Sequence, residues 1–448
     1  RAYRSKKEAD WDTEFHRRNV FLPIQMRLTQ TGMCSTAEWT LAVGKWCKEL
    51  ARSVISSMEL GPRLDNMQEW FSARWGHAPS GASTLRATMA EVKSEDARLS
   101  AGARPGKKCT WESLPDWVPY HVLLHLEPMG IVRTSTKPEP GLKQRALYAL
   151  DDISTIIASF ASVHIEKFMN VWGIKAKQAP ADVVEWMASA TYMKDDEEMW
   201  LSLDYSDFNH EHMLSTLVQW NIALAKAWLG SGVNERVKME KAMASTWIAM
   251  SHMNTFCNVG TDMEYRMIGT LCSGHRDTSR DNSALHGVYS KCVAEMMRLI
   301  DSKVIPTVTY YTGDDEDGKF VDMVASAHYL LGHAIAVFDI NPAKQRAGHR
   351  SHEFLQREAV GDRLPSRPMF AALAQLASGN WYKDVHIWYD AAVSAVSDNV
   401  WELHNRGMPL VYSRRLAASI LNATMRVPGA GPDGKYRNLE WWKYRHGS

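Results

Sequence analysis

The run Val308-Thr309-Tyr310-Tyr311-Thr312-Gly313-Asp314-Asp315-Glu316-Asp317-Gly318-Lys319-Phe320-Val321 constrains this chain more than any other stretch. Its first half is β-branched and aromatic, and a second apolar run begins at Lys319-Phe320-Val321. A short loop of glycine and four acids lies between them, so the pattern predicts a β-hairpin with carboxylates at its tip. Neighbouring carboxylates repel: at ~4 Å and an effective dielectric of ~20 the penalty is about 4 kcal/mol. The tip therefore calls for a cation. Oxygen-only donors at a strand end suit Mg²⁺, or Mn²⁺ as the alternative ion, far better than zinc. A Gly-Asp-Asp turn alone also serves as an ordinary hairpin turn, so the rest of the chain has to decide.

At 448 residues the chain exceeds one ordinary domain and can form two or three lobes. A hydrophobic content of 45% with 18 Trp supplies a large core and excludes global disorder. Net charge is only +1, so any nucleic-acid binding must come from local clusters of cations. The six Cys (34, 47, 109, 257, 272 and 292) show no close pairing and read as free thiols in a reducing compartment. No apolar run approaches the ~18 residues of a membrane span, and the start is charged rather than signal-like, so no membrane partner is expected. The first residue is Arg1 rather than Met, which leads us to expect a piece cut from a longer polypeptide.

Residues 1–130 read as mainly helical. The segment 36–60 has an apolar face at helical spacing and basic residues opposite, a packed surface helix. The run 69–84 ends in a small-residue loop with Ser80, Gly81 and Ser83, which suits close approach of a nucleic-acid backbone and equally a plain linker. Residues 92–110 are polar and read as a surface connection. Lys137, Lys143 and Arg145 surround a Pro/Gly-punctuated loop and can converge on a triphosphate or a template backbone; a solvated basic turn is the simpler reading. Met199–Leu203 reads as a short buried strand running into Asp204-Tyr205-Ser206-Asp207-Phe208-Asn209, with a helix after it. His210 and His212, two apart on a helix, point away from each other, which excludes a zinc pair. Ser273 and Gly274 open a small-residue loop into a helix on which Thr278 and Asn282 share one face, either facing a ligand or acting as helix caps. A helix is expected over 322–338, then Asp339 to Arg346, His352 to Arg357, Ser378 to Trp381, and a helical remainder over 382–448. There is no internal repeat or low-complexity tract.

Each of these motifs is weak alone; their order is not. A strand-end Asp204, then Ser273-Gly274-x₃-Thr278-x₃-Asn282, then Asp314-Asp315 resembles the palm of an RNA-dependent RNA polymerase. The sequence is similar to viral polymerases of double-stranded RNA viruses and looks closest to the totivirus-like group, over essentially the whole chain. The resemblance implies an α+β, mainly helical, right-hand polymerase with a small antiparallel palm sheet. Fingers would span 1–198 and 213–265, with the first palm motif at 199–212 and the remaining palm motifs at 266–352. Primer grip and thumb would span 353–448. It implies that Asp204, Asp314 and Asp315 hold two Mg²⁺ ions and that Lys344 protonates the leaving pyrophosphate. Lys137, Lys143 and Arg145 would grip the nucleoside triphosphate, while Asn209, Ser273, Gly274, Thr278 and Asn282 hold the nascent pair and read the sugar. Ser80, Gly81, Ser83, Glu353 and Arg357 would contact RNA. Implied partners are viral template and product RNA, ribonucleoside triphosphates and capsid protein, to which this family is often fused, with work done inside the virion and in the host cytoplasm. The sequence departs from the pattern at Asn209, where many relatives carry Asp, with an extra Asp207 two residues earlier, and at Gln356 before Arg357. A reverse transcriptase and an inactive polymerase-derived RNA-binding or capsid component remain as rivals. Against the first stand the Ser273–Asn282 motif and the Gly before the Asp pair. Against the second stand three intact carboxylates.

Overall fold

The computed structural model describes residues 9–19, 34–85, 106–115, 120–138, 144–177, 179–191, 197–258, 265–336, 338–361, 365–378 and 389–425. They divide into two compact units, one drawn from 8–137 and 144–352, the other chiefly from 353 onwards.

The larger unit is helical around two small sheets. The first contains β1 (Gly130–Pro138), β2 (Gln144–Leu150), β4 (Thr255–Asn258) and β5 (Tyr265–Arg266) in the order β2-β1-β4-β5. The second contains β3 (Met199–Leu203), β6 (Val308–Thr312), β7 (Asp315–Phe320) and β8 (Arg346–Gly348) in the order β6-β7-β3-β8. Every residue of β3 is buried, because the strand has a neighbour on both edges and packing on both faces; hence its unbroken apolar run. The β3–β7 ladder is antiparallel, with Met199 opposite Phe320 and Leu203 opposite Glu316. The β6–β7 ladder ends with Thr312 opposite Asp315, leaving Gly313 and Asp314 as a two-residue hairpin loop. Gly313 has φ +62°, at the first loop position, where a type II′ turn requires glycine.

The expected tip of four acids is therefore too long. Asp315, Glu316 and Asp317 belong to the strand, and Glu316 and Asp317 are 2% and 0% exposed rather than solvated. Each is stabilised by hydrogen bonds from distant elements. Trp186 Nε1 and Ser202 Oγ donate to Asp317 at 2.8 and 3.0 Å, and His352 Nδ1 lies 2.7 Å from it. Such partners offset the desolvation of a buried carboxylate.

The helix Thr36–Glu59 is the expected amphipathic one. Its start is set by a reciprocal Ser35–Glu38 capping box, and it buries Trp39, Val43, Cys47, Leu50, Val54 and Met58 along one stripe. That stripe packs against the helices Leu214–Leu229 and Thr278–Met297. The polar connection expected over 92–110 is corrected in its described part: Lys107–Ser113 is a helix burying Lys107, Thr110 and Trp111. Two lysines at a helix start oppose the dipole and hide the helix from a sequence reading. Lys107 is nonetheless accommodated, its ammonium 3.0 Å from Thr155 Oγ1 and 3.8 Å from Asp152 Oδ1. No helix among the described residues is long and apolar enough to cross a membrane.

In the other unit, Leu355 and Gln356, at φ 51° and 62°, form the turn before the strand Arg357–Val360, and the helices Met369–Ser378, Tyr389–Asn405 and Leu410–Met425 follow. Of the helical remainder expected over 382–448, the described residues 389–425 are helical apart from the turn between the last two helices; residues 379–388, with Gly379 to Trp381, and the basic residues from Arg426 lie outside the described residues.

Three buried imidazoles give this fold an acid limit. Burial lowers His212 to about 4, His275 to about 3 with help from the Arg280 and Arg276 charges, and His333 to about 4. An unfolded histidine takes its proton near pH 6.5, so below that value the unfolded chain binds more protons than the folded one. The stability these rings contribute is complete above pH ~6.5 and is lost as pH falls towards 4. Thermal unfolding should accordingly show a Tm several degrees lower at pH 5 than at pH 7.5; a flat profile would contradict this account.

Candidate active site

Asp204 follows β3 directly. Continuing the ladder one step beyond Leu203–Glu316 sets Asp204 opposite Asp315, beside the Gly313–Asp314 loop. The Lys344 ammonium closes this corner, 2.9 Å from Asp204 Oδ2. Its pKa is raised first by that hydrogen bond and further by the charges of Asp204, Asp314 and Asp315. Lys344 is thus paired with Asp204, and the charges of Asp314 and Asp315 act on it from the neighbouring hairpin. The backbone of Asp204 is clamped by the turn that carries Lys344. Gln345 Nε2 donates to Asp204 O at 2.7 Å and to Asn341 O at 2.8 Å, and Asn341 N donates to Asp204 O at 3.1 Å. Sequence reasoning missed Gln345, whose side chain carries no signal apart from the neighbouring lysine.

The donors here are all carboxylate oxygens and crowd enough negative charge to hold an ammonium, which fits a hard divalent cation. Among the described residues the one tight cluster of three metal-type ligand atoms lies elsewhere, at His275, Asp277 and Asp281, within 4.8 Å of one another. That cluster already contains a cation: buried Arg280 lies 3.2 Å from Asp277 and 2.7 Å from Asp281. Asp204, Asp314 and Asp315 do not form such a cluster.

The loop before the Thr278–Met297 helix is joined to β2, the strand carrying Arg145. Gly274 N donates to Tyr148 O at 2.9 Å, and Tyr148 N donates to Ser273 Oγ at 3.3 Å. A Cβ on Gly274 would stand 2.6 Å from Tyr148 O and 2.9 Å from Ala149 Cα. We therefore expect Gly274→Ala to cost ~1–3 kcal/mol through overpacking, read as a lower urea midpoint; an unchanged midpoint would sink this argument. Thr278 Oγ1 turns back to donate to the carbonyls of Cys272 and His275, so its hydroxyl closes the loop.

Asn282 and Asn209 meet: Asn282 Nδ2 donates to Asn209 Oδ1 at 2.8 Å. Behind them His212 Nε2 lies 2.7 Å from Asn282 Oδ1, and its Nδ1 lies 3.1 Å from the Tyr289 hydroxyl. His212, set aside as a metal ligand, is thus the buried member that orients both amides. No spacing in the sequence announces this role.

The other candidate residues are dispersed. Lys137 and Arg145 are exposed, at the end of β1 and near the start of β2; Lys143 lies outside the described residues. Ser80 and Gly81 are exposed, whereas Ser83 is buried and donates to Asp152 Oδ2. Asp152 also accepts from Thr84 N at 2.6 Å, so Ser83 holds the loop's base. Glu353 and Arg357 lie in the other unit. There burial and the nearby Arg367 and Arg406 lower the pKa of Arg357, with Glu402 opposing.

A small antiparallel sheet with carboxylates at adjoining strand ends, backed by helices, is the palm of a right-hand polymerase. Solved structures share this fold. The RNA-dependent RNA polymerase of BmCPV, determined in situ at elongation state, matches with a TM-score of 0.57 at 13% identity, over 85% of this chain and 32% of its own. A second structure, described as an RdRp complex, matches with a TM-score of 0.62 at 14% identity, over 86% and 33%. The profile of the viral RNA-directed RNA polymerase family matches residues 49–381. The chain belongs to that family, as its motifs led us to expect. It is 25% identical over 354 residues to a probable RNA-directed RNA polymerase of Helminthosporium victoriae virus-190S, covering 78% of this chain and 39% of that protein. It is also 32% identical over 160 residues to a probable RNA-directed RNA polymerase of Saccharomyces cerevisiae virus L-A, covering 35% of this chain and 10% of that protein. The chain thus spans well under half the length of either relative.

Proposed function

We propose that this chain is the catalytic core of a polymerase that copies viral RNA from ribonucleoside triphosphates, replicating and transcribing a double-stranded RNA genome within the capsid. The observation that carries the reading is the placing of Asp204, paired with Lys344, at the end of a palm strand beside the hairpin that bears Asp314 and Asp315. In this reading Asp204, Asp314 and Asp315 would hold two Mg²⁺ ions, or Mn²⁺ ions. Ions held there would supply charge neutralisation for nucleotidyl transfer. The protein's own part is positioning. The Gln345 and Asn341 bonds hold Asp204, and the hairpin loop presents Asp314. Lys137, Lys143 and Arg145 grip the triphosphate, and Lys344 donates a proton to the departing pyrophosphate. Ser80, Gly81, Glu353 and Arg357 contact RNA. The fingers, palm and thumb follow the boundaries drawn from the sequence, and capsid protein is the structural partner in the virion.

The primary test is primer extension on an RNA template by the purified chain with Mg²⁺ and labelled nucleotides. Ribonucleotide incorporation supports the reading. A preference for deoxyribonucleotides would make it a reverse transcriptase, and no incorporation would favour an inactive RNA-binding component.

Asn209 gives a finer test. Its Oδ1 accepts from Asn282, so its Nδ2 is the group it offers to a ribose hydroxyl. Asn209→Ala should narrow the preference for ribo- over deoxyribonucleotides by about ten-fold while synthesis survives, since one neutral hydrogen bond is worth ~0.5–1.5 kcal/mol. Asp207→Ala should leave that preference nearly unchanged. Comparing kcat/KM for the two sugars decides: a loss confined to Asp207→Ala would overturn the assignment.

A further inference from the structure

The Thr278–Met297 helix does more than carry Asn282. Ser283, His286 and Ser290 recur on the face turned to the β6–β7 hairpin, and two of them grip Gly313, the residue immediately before Asp314. Gly313 N donates to Ser283 Oγ at 2.9 Å. His286 Nδ1 lies 3.0 Å from Gly313 O; a carbonyl can only accept, so that nitrogen donates. The same ring places Nε2 2.9 Å from Glu316 Oε2, inside β7, and Tyr329 OH donates to Glu316 Oε1 at 2.7 Å. The ring also packs on Tyr205 and Phe208 at 5.2 Å between centroids, and on Tyr311 at 5.0 Å. His286 is completely buried. It therefore touches the residue after Asp204, the residue before Asp314 and the strand behind Asp315.

The far edge of the hairpin is held as firmly. Tyr311 N donates to Gly173 O at 3.0 Å, and Lys175 N donates to Tyr311 O at 2.8 Å. A Cβ on Gly287 would stand 2.8 Å from Ile174 Cδ1, so a side chain there would have to push the end of Ile174 aside. With β6 gripped along its edge, the rotation of the Gly313 peptide is the freedom left to the loop. The Ser283 and His286 bonds remove it.

We infer that Ser283 and His286 are positioning residues for the Asp314 carboxylate, with Glu316 orienting the His286 ring. They touch neither substrate nor ion; they set the direction in which the loop presents its carboxylate. Misplacement of a reacting group by a fraction of an ångström lowers the chemical step while leaving substrate binding alone.

This inference rests on the polymerase reading, and the test separates the two. RNA synthesis by the wild-type 448-residue chain that is abolished in Asp314→Asn upholds that reading whatever the helix variants do. His286→Phe keeps the ring packing and removes the polar contacts to Gly313, Glu316 and the Tyr205 hydroxyl. It should lower kcat roughly 30-fold, hold the nucleotide KM within about threefold and raise the Mg²⁺ concentration for half-maximal rate. His286→Asn retains an amide nitrogen near the Nδ1 position and should recover most of the loss. Ser283→Ala removes one hydrogen bond and should cost about 3- to 10-fold in kcat. A kcat for His286→Phe within threefold of wild type, a loss appearing mainly in KM, or His286→Asn no better than His286→Phe would each overturn the inference. If His286→Phe does not fold, Ser283→Ala decides by the same kcat and Mg²⁺ readings.

Discussion

Asp314→Asn should lower nucleotide addition by about three decades or more while the protein folds normally. The substitution keeps the shape of the side chain and removes one negative charge from the hairpin loop. Asn is itself a favoured turn residue, and Asp314 occupies a two-residue loop whose demanding backbone angle falls on Gly313. The rate loss follows from the role of the charge: three decades correspond to about 4 kcal/mol of transition-state stabilisation, the scale expected for a position bridging two cations. The folded state should gain rather than lose. Neighbouring carboxylates at ~4 Å repel by about 4 kcal/mol at an effective dielectric of ~20, a figure that solvent screening reduces at this open corner. The unfolding midpoint of Asp314→Asn without divalent ions should equal or exceed that of the wild type. Activity within tenfold of wild type would remove Asp314 from the catalytic set.

The strand and hairpin of the candidate site are legible in the sequence because their constraints are local. Met199–Leu203 reads as a strand buried on both faces, and Gly313 marks a turn that few other residues permit. The order of Asp204, the Ser273–Asn282 motif and Asp314–Asp315 carried the family. The illegible parts depend on partners far along the chain. Glu316 and Asp317 look like solvated acids in a run of four, and only His286, Tyr329, Trp186, Ser202 and His352 explain their burial. Ser83 and Thr278 carry hydroxyls suited to RNA and to a sugar, yet Asp152 and two carbonyls claim them for loop closure. His212 was read through its spacing from His210, a helical argument, but it stands one residue beyond the short helix Phe208–Glu211. Periodicity describes what a segment offers, and tertiary contacts determine which of those groups stay available.

Lys344→Met should lower kcat by two to three decades while reducing the Mg²⁺ concentration needed for half-maximal rate. The two effects run in opposite directions because the ammonium has two roles in this proposal. In the structure it balances Asp204, and its pKa is raised by Asp204 first and by Asp314 and Asp315 in turn. Any divalent ion entering the corner competes with that positive charge. Met keeps the length of the side chain and removes the competitor, so ion loading becomes easier. During turnover the same ammonium, displaced from Asp204, stands free to give its proton to the pyrophosphate, and a positioned general acid contributes about 10²- to 10⁴-fold. Lys344 is 60% exposed, so the swing from Asp204 towards a departing phosphate meets little packing resistance. Lys344→Arg separates charge from acidity. Guanidinium restores the electrostatic contact yet holds its proton above pH ~12, so the Mg²⁺ requirement should return to wild type while kcat stays low. An unchanged kcat in Lys344→Met with an eased Mg²⁺ requirement would leave Lys344 as a counter-ion of the empty corner. Full rescue of kcat by Lys344→Arg would make its contribution purely electrostatic, and either result would remove proton donation from the mechanism.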